Sequence, residues 1–189
     1  MSKKVMLRNV RLSYEHIFTP SAFDDNQEAK YSATLIVPKD HADLPALKRA
    51  MFEAGQETFP ADFKAGGWPK GYTCSLKDAD KDTDGSGTLL AEKNEAYAGC
   101  YILEANSTRR PLVIGRKKEA ITEEDGIIYS GCYVNVSLAA AGYTYAKIKK
   151  GVKCYLNGVQ FVKDGERFGA DASADFDALD GDDDDDFMV

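Results

Sequence analysis

Three runs near the C-terminal end decide the fold: IIYSGCYVNVSLA (Ile127–Ala139), YTYAKIKK (Tyr143–Lys150) and VKCYLNGVQFV (Val152–Val162). They are rich in β-branched and aromatic residues, which suit a pleated, half-buried surface. The first is long and strongly β, with Tyr129, Val134 and Val136 along it. The second and third runs read as an antiparallel pair turned at Lys150-Gly151, with Gly158 as a bulge or twist point in the latter. Working back along the chain, Leu112-Val113-Ile114 is a short strand and Tyr97–Ala105 a longer one. Phe59 to Leu89 is an irregular connection, and connections of that length in compact domains often carry function. Leu44, Leu47, Ala50, Met51 and Ala54 recur at helical spacing, predicting a helix over Leu44–Glu57 with Pro45 in its first turn and Asp40 or Asp43 as cap. Tyr31–Val37 is a strand stopped by Pro38. Lys3–Tyr14 is another, with a phase slip near Arg8-Asn9, and Phe18–Gln27 is turn-rich. The sum is six or seven strands and one helix, with no internal repeat. This predicts a mainly β fold, a small barrel or curled sheet with one packed α-helix.

Charge divides the chain in two. The 189 residues carry a formal charge of −7, yet residues 170–189 hold nine aspartates and no lysine or arginine. Residues 1–169 carry 24 basic and 22 acidic side chains, so the folded part is slightly basic. That leaves a body of 1–169, enough for one domain with a sizeable core, and an acidic tail of 170–189. The tail has too little apolar surface to offset the entropy of ordering it, so disorder is expected there. It ends in Asp182-Asp183-Asp184-Asp185-Asp186, then Phe187, Met188 and Val189. No run approaches the length of a membrane span, and Met1-Ser2-Lys3-Lys4 is not followed by an apolar signal core. Cys74, Cys100, Cys132 and Cys154 stand singly, and His16 and His41 are the only histidines, a poor basis for a zinc site. Buried, reduced thiols in a cytoplasmic protein are the expectation, with no cofactor or metal.

Asp80-Lys81-Asp82-Thr83-Asp84-Gly85 imitates the first half of a calcium loop, but the closing glutamate, Glu92, comes one residue late. It reads better as a solvated acidic loop. No P-loop, nucleophile elbow or metalloprotease motif is present, so an enzyme is not expected. The constructive signal is aromatic residues interleaved with basic ones. Tyr101 precedes Arg109 and Arg110, and Arg116 and Lys117 follow. Tyr129, Tyr133, Tyr143 and Tyr145 lead into Lys147, Lys149, Lys150 and Lys153. Strand alternation over Tyr143–Lys149 places Tyr143, Tyr145, Lys147 and Lys149 on one face. Flat rings stack bases while ammonium groups pair phosphates, the chemistry of a single-stranded nucleic-acid groove. A tethered polyanion would occupy such a groove until nucleic acid displaced it, freeing the tail for partner proteins.

Five stretches carry a resemblance: VRLSYEHIFTP (Val10–Pro20), KYSATLIVPK (Lys30–Lys39), AYAGCYILEANSTRRP (Ala96–Pro111), YSGCYVNVSLAAAGY (Tyr129–Tyr143) and LNGVQFVKDGERFG (Leu156–Gly169). In order and across nearly the whole body, the chain resembles a family of bacteriophage single-stranded-DNA-binding proteins. The resemblance implies an OB-fold-like barrel that binds single-stranded DNA without strong sequence preference. It also implies a role in phage DNA replication and an acidic C-terminus of the kind such proteins use. Tails of that kind often end on phenylalanine, whereas here Met188 and Val189 follow Phe187.

The candidate stacking residues are therefore Trp68, Tyr101, Tyr129, Tyr133, Tyr143 and Tyr145. The candidate phosphate contacts are Arg109, Arg110, Arg116, Lys117, Lys147, Lys149, Lys150 and Lys153. Asp182 to Asp186 and Phe187 are candidates for autoinhibition and for docking replication proteins such as a polymerase or helicase. Three other readings stand beside this one: a strand-annealing recombination protein, a calcium-binding structural module built on Asp80–Asp84, and an acidic adaptor that binds proteins alone. Edge strands also leave room for a homo-oligomer.

Overall fold

A strand with three register shifts organises the barrel. β1 (Lys3–Ser21) pairs along its first half with β7 (Tyr133–Tyr145) and along its second half with β2 (Lys30–Pro38), antiparallel in both cases. The register slips between Leu7 and Val10, where Asn9 takes φ 54° and its N–H donates to Asn135 Oδ1 at 2.9 Å. That is the bulge the sequence phase places near Arg8-Asn9. β1 does not stop at Tyr14: further shifts after Leu12 and His16 let it pair with β2 as far as Ser21↔Lys30. Ladder hydrogen bonds from β2 override the turn-rich composition of Phe18–Ser21. The computed structural model describes residues 2–22, 27–64 and 67–169, so the acidic tail expected over 170–189 lies outside the described residues.

β2 pairs with β5 (Cys100–Ser107), and β5 meets β8 (Lys149–Lys163) in a short parallel ladder, Ala105↔Cys154 and Asn106↔Tyr155. β8 pairs along its length with β7. The circuit β1–β2–β5–β8–β7–β1 is thus a closed five-stranded barrel of OB type. Short strands extend its rim: β3 (Tyr72–Cys74) and β6 (Leu112–Ile114) run parallel to β8, and β4 (Leu76–Asp78) pairs with β5. β3 and β4 fall inside the stretch expected to be irregular; each has three residues, too few to show a period.

Leu7, Val10, Leu12, Leu35, Val37, Leu103, Val134, Val136, Leu138 and Leu156 fill the barrel, each at most 2% exposed. Burying such a side chain contributes about 1.5–3 kcal/mol. α1 (Leu44–Thr58) closes the barrel with Leu44, Leu47, Ala50, Met51 and Ala54, the spacing read from the sequence. Asp43 sits at its N-cap without capping it. Its carboxylate instead accepts from the Arg8 N–H at 2.9 Å and Arg8 Nη1 at 3.2 Å, tying the helix to the β1 bulge.

Three boundaries differ from expectation. Tyr97 lies not in a strand but in a 3-10 turn (Glu95–Tyr97), its hydroxyl bonded to buried Ser13 Oγ at 2.6 Å. The run from Ile127 becomes regular only at Tyr133, because Gly131 takes φ 115° under a close backbone crossing: a Cβ there would lie 2.0 Å from the Glu166 carbonyl oxygen. The hairpin does not turn at Lys150-Gly151. It turns over Tyr145–Ile148, with Ala146 and Lys147 at φ 48° and 58° and the Ile148 N–H donating to the Tyr145 carbonyl at 3.1 Å. Gly151 lies inside β8 between Tyr143 and Thr73, where a Cβ would lie 2.4 Å from the Thr73 carbonyl oxygen. Gly158 does mark a slip, between Ser137 and Leu138 of the partner strand.

A second, smaller core covers the outer side of β2 and β5, where Ile36, Ala79, Tyr97, Cys100 and Ile102 pack beneath Leu90, Ala96 and Phe168. Leu90 opens the one-turn α2 (Leu90–Lys93). Cys100, Cys132 and Cys154 are buried and free, and Cys74 is half-buried. Burial pushes the Cys154 thiol up to about 12. Among the described residues no helix is long and apolar enough to cross a membrane.

Candidate nucleic-acid interface

The outward residues of β7 and β8 form one face. Cross-strand pairing sets Tyr145 opposite Lys149, Tyr143 opposite Gly151, Ala141 opposite Lys153, Ala139 opposite Tyr155 and Asn135 opposite Gln160. Gly151 and the two alanines leave the larger side chains room to lie over the sheet. Lys153 Nζ sits 5.3 Å from the Tyr143 ring centroid and 4.8 Å from that of Tyr155, a cation between two rings. The Tyr143 hydroxyl is fixed by Thr73 Oγ1 at 2.5 Å, while Tyr155 is 36% exposed. Tyr145 at the hairpin end is 72% exposed, and Ile148 at the tip is 89% exposed.

Next to this face lies a cleft of about 640 Å³, lined by Ser21, Gln27, Glu28, Lys30, Ser32, Asn106 and Tyr145. Asn106 joins the two, because it lines the cleft and pairs with Tyr155 across the β5–β8 ladder. The arrangement is a polar floor between the β1–β2 connection and the β7–β8 hairpin, the two loops and strand face that OB folds use for oligonucleotides. Arg109 and Arg110 are exposed just after β5, close in sequence to Asn106. Arg116 and Lys117 are exposed in the turn after β6, which Gln160 Nε2 holds by donating to the Gly115 carbonyl at 3.3 Å. These two pairs therefore flank the β7–β8 face rather than lie on it.

The other sequence candidates are dispersed. Lys147 is in the hairpin turn, not on the strand face with Lys149. Lys150 points to the other side, toward the Phe59 and Tyr72 rings at 5.8 and 6.0 Å. Trp68 packs edge-on against Phe63 at 5.1 Å, and Tyr101 lies under Lys48, both beside α1. Tyr129 is enclosed by the segment after β8: its hydroxyl donates to Asp164 Oδ1 at 2.8 Å and receives the Gly165 N–H at 3.1 Å, and Arg167 covers its ring at 4.0 Å. Burial, then the bond to Asp164, raises the Tyr129 phenol above its ordinary value. Tyr133 lies between Lys163 at 4.7 Å and Arg11 at 5.8 Å. Arg11 in turn donates to the Gly131 and Glu166 carbonyls, at 3.1 and 2.7 Å, and stacks on Phe168 at 4.2 Å. Asp182 to Asp186 and Phe187 lie outside the described residues.

Tyr155, Ser32 and Asn106 join the candidate face and cleft without standing among the sequence candidates. Tyr155 carries a signal, since it alternates with Lys153 on the same strand; Ser32 and Asn106 carry no local signal and gain their place from facing each other across the β2–β5 ladder. In the calcium-like loop the carboxylates are engaged within the chain. Asp80 pairs with Lys39 at 2.6 Å and accepts from the Gly99 N–H, Asp82 accepts from the Asp78 N–H at 2.6 Å, and Asp84 pairs with Lys93 at 2.9 Å. Among the described residues no three metal-ligating side chains converge.

A family model described as the ssDNA-binding protein of Enterobacter phage Enc34 matches residues 3–188. Protein p50 of Acyrthosiphon pisum secondary endosymbiont phage 1 is 34% identical over 172 residues, 87% of this chain and 86% of that protein. Among solved structures, the single-stranded DNA-binding protein from bacteriophage Enc34 in complex with ssDNA aligns with a TM-score of 0.70 at 26% identity, covering 88% of this chain and 90% of that one. The single-stranded DNA binding protein gp2.5 of bacteriophage T7 aligns with a TM-score of 0.60 at 13% identity over the whole of both chains, a likeness of fold. The barrel circuit and the match over nearly the whole length agree: this chain belongs to the family of phage single-stranded-DNA-binding proteins described by that of Enterobacter phage Enc34, a binding family rather than a family of enzymes.

Proposed function

We propose that this protein coats single-stranded DNA without sequence preference during phage DNA replication, recombination or repair, in the cytoplasm of the host. The observation that carries the reading is the Tyr143–Lys153–Tyr155 array on the outer barrel face, opening into the cleft beside Tyr145. Tyrosine faces stack any base, and Lys149 and Lys153 supply cations for the backbone, so affinity does not depend on base identity. Arg109, Arg110, Arg116 and Lys117 extend the positive field to either side. In the related Enc34 protein the bound molecule is ssDNA, which supports the same ligand here.

The acidic tail completes the proposal. Residues 170–189 carry nine aspartates beside a body of net positive charge, and a short tether holds them at an effective concentration around millimolar. They compete with weak contacts at the cationic face, and a long DNA strand displaces them, freeing Asp182–Phe187 to engage a polymerase or helicase.

Titration of poly-dT against a matched duplex, with the full chain and with residues 1–169, tests both parts. Preference for poly-dT is expected, with log K falling by about 0.7 per phosphate neutralised as log salt rises. Removal of the tail should tighten binding most at low salt. A flat salt profile or equal binding of duplex would overturn the DNA reading, and unchanged affinity without the tail would overturn the competition.

A further inference from the structure

On the other side of the barrel wall from the Tyr143–Tyr155 face, an apolar groove of about 560 Å³ runs along α1. Neighbouring residues of β3 show the separation: Thr73 reaches Tyr143 on the outer face, while Cys74 lines the groove. The walls are Met51, Phe52, Trp68, Cys74, Leu76 and Tyr101. The Trp68 indole N–H is turned to the Tyr72 carbonyl at 3.0 Å, which takes the one polar atom of that ring out of play. Two exposed cations complete the lining, Lys48 and Arg49. Lys48 lies over the Tyr101 ring at 4.1 Å; Arg49 has no ion pair or hydrogen bond among the described residues. Such a groove fits an apolar side chain preceded by negative charge.

This chain carries a segment of that chemistry: Asp182–Asp186 followed by Phe187-Met188-Val189. We propose that Phe187–Val189 dock in the α1 groove of the same molecule, with Asp182–Asp186 against Lys48 and Arg49. Reach permits it. Phe168 packs on the cluster that includes Cys100, and Cys100 adjoins Tyr101 on β5, so the root of the tail and the groove lie on two sides of one strand. The 17 residues 170–186 span up to about 56–61 Å when extended, against a diameter of roughly 40 Å for a body of this size. Tethering at about millimolar effective concentration keeps even a three-residue anchor of submillimolar affinity occupied. The contact is separate from competition at the DNA face and needs no DNA.

Trp68 is the single tryptophan, so its indole N–H gives one isolated NMR signal inside the groove. The test compares the full chain with its Phe187→Ser, Met188→Ser, Val189→Ser triple variant, at low salt and without DNA. The Trp68 indole signal and the amides of residues 48–52 should move in the triple variant and stay in place in Phe176→Ser. A peptide GDDDDDFMV added to the triple variant should return them to the wild-type positions, whereas GDDDDDSSS should not. Arg49→Glu in that background should weaken the peptide about fivefold, in the range for an exposed charge pair. Identical spectra for wild type and triple variant would overturn the proposal. So would shifts that grow with protein concentration, which would assign the groove to the tail of a second copy.

Discussion

The β7–β8 face and the segment around Tyr129 are built from the same materials, tyrosines beside lysines or arginines, and end in opposite conditions. Around Tyr129 every group is already matched within the chain. The phenol is held by Asp164 and Gly165, its ring by Arg167, and Arg11 by two carbonyls and Phe168. On the β7–β8 face, Lys153 touches two rings and forms no ion pair among the described residues, and Tyr145 and Tyr155 remain exposed. The first cluster fastens the chain that leads to the acidic tail; the second has rings and a cation available to a ligand. Residue type proposes a binding surface, and the hydrogen bonds already made decide whether one exists.

The contrast is broken most directly by removing rings from each side. Tyr145→Ala with Tyr155→Ala should weaken poly-dT binding at least about thirtyfold, since each stacked base is worth roughly 1–3 kcal/mol. Tyr129→Phe should leave the affinity unchanged in the same fluorescence titration. A loss with Tyr129→Phe equal to that of the double variant would erase the distinction. A smaller effect is expected from charge. Lys153→Ala should weaken binding about three- to tenfold at low salt and make the log–log salt slope shallower by about 0.7, the loss of one phosphate contact. Arg167→Ala, whose guanidinium covers Tyr129, should leave that slope as it was.

How much of this the sequence shows follows the same division. The bulge at Asn9, α1 and the cores of β2, β7 and β8 are legible, because a buried face imposes a period that apolar side chains record. The hairpin turn is not. Gly151 looks like the natural reversal, yet it is needed inside β8, where a Cβ would meet Thr73; the reversal falls on Ala146 and Lys147, residues without turn chemistry. That one displacement moves Lys147 off the face and leaves Tyr155 to join Tyr143 through Lys153. The cleft is legible only in part, since Ser32 and Asn106 come together across the antiparallel β2–β5 ladder, a pairing between strands far apart in the chain.

The closed cluster should show itself in stability rather than binding. Tyr129→Phe removes hydrogen bonds to Asp164 and Gly165 and should cost about 1 kcal/mol in denaturant unfolding. Because burial raises this phenol in the folded state, its contribution is fully present below the unfolded value near 10 and is lost as pH rises beyond it. Cys154 has the same sign. Its contribution is present below an ordinary thiol value of about 8.5 and is lost as pH climbs toward about 12. The melting temperature of the wild type should therefore fall steeply on the alkaline side, and Tyr129→Phe and Cys154→Ala should each flatten that fall.

The smallest effect concerns a second internally matched cluster, the Asp80–Asp84 loop. Asp84 accepts hydrogen bonds from Ser86 and Thr88 and pairs with Lys93, and the Ser86 bonds foremost hold its carboxyl well below the usual range. A depressed carboxylate stabilises the fold above its unfolded value near 4, and the contribution is lost as pH falls. Asp84→Asn should thus flatten the acid side of the melting profile while leaving poly-dT affinity untouched. Millimolar calcium should not move the melting temperature of the wild type, because each carboxylate already has a donor that a cation would have to displace. A clear rise with calcium would show that internal partners do not close a cluster to ligands, and the bonds to Asp164 and Gly165 would then not set Tyr129 apart from Tyr155.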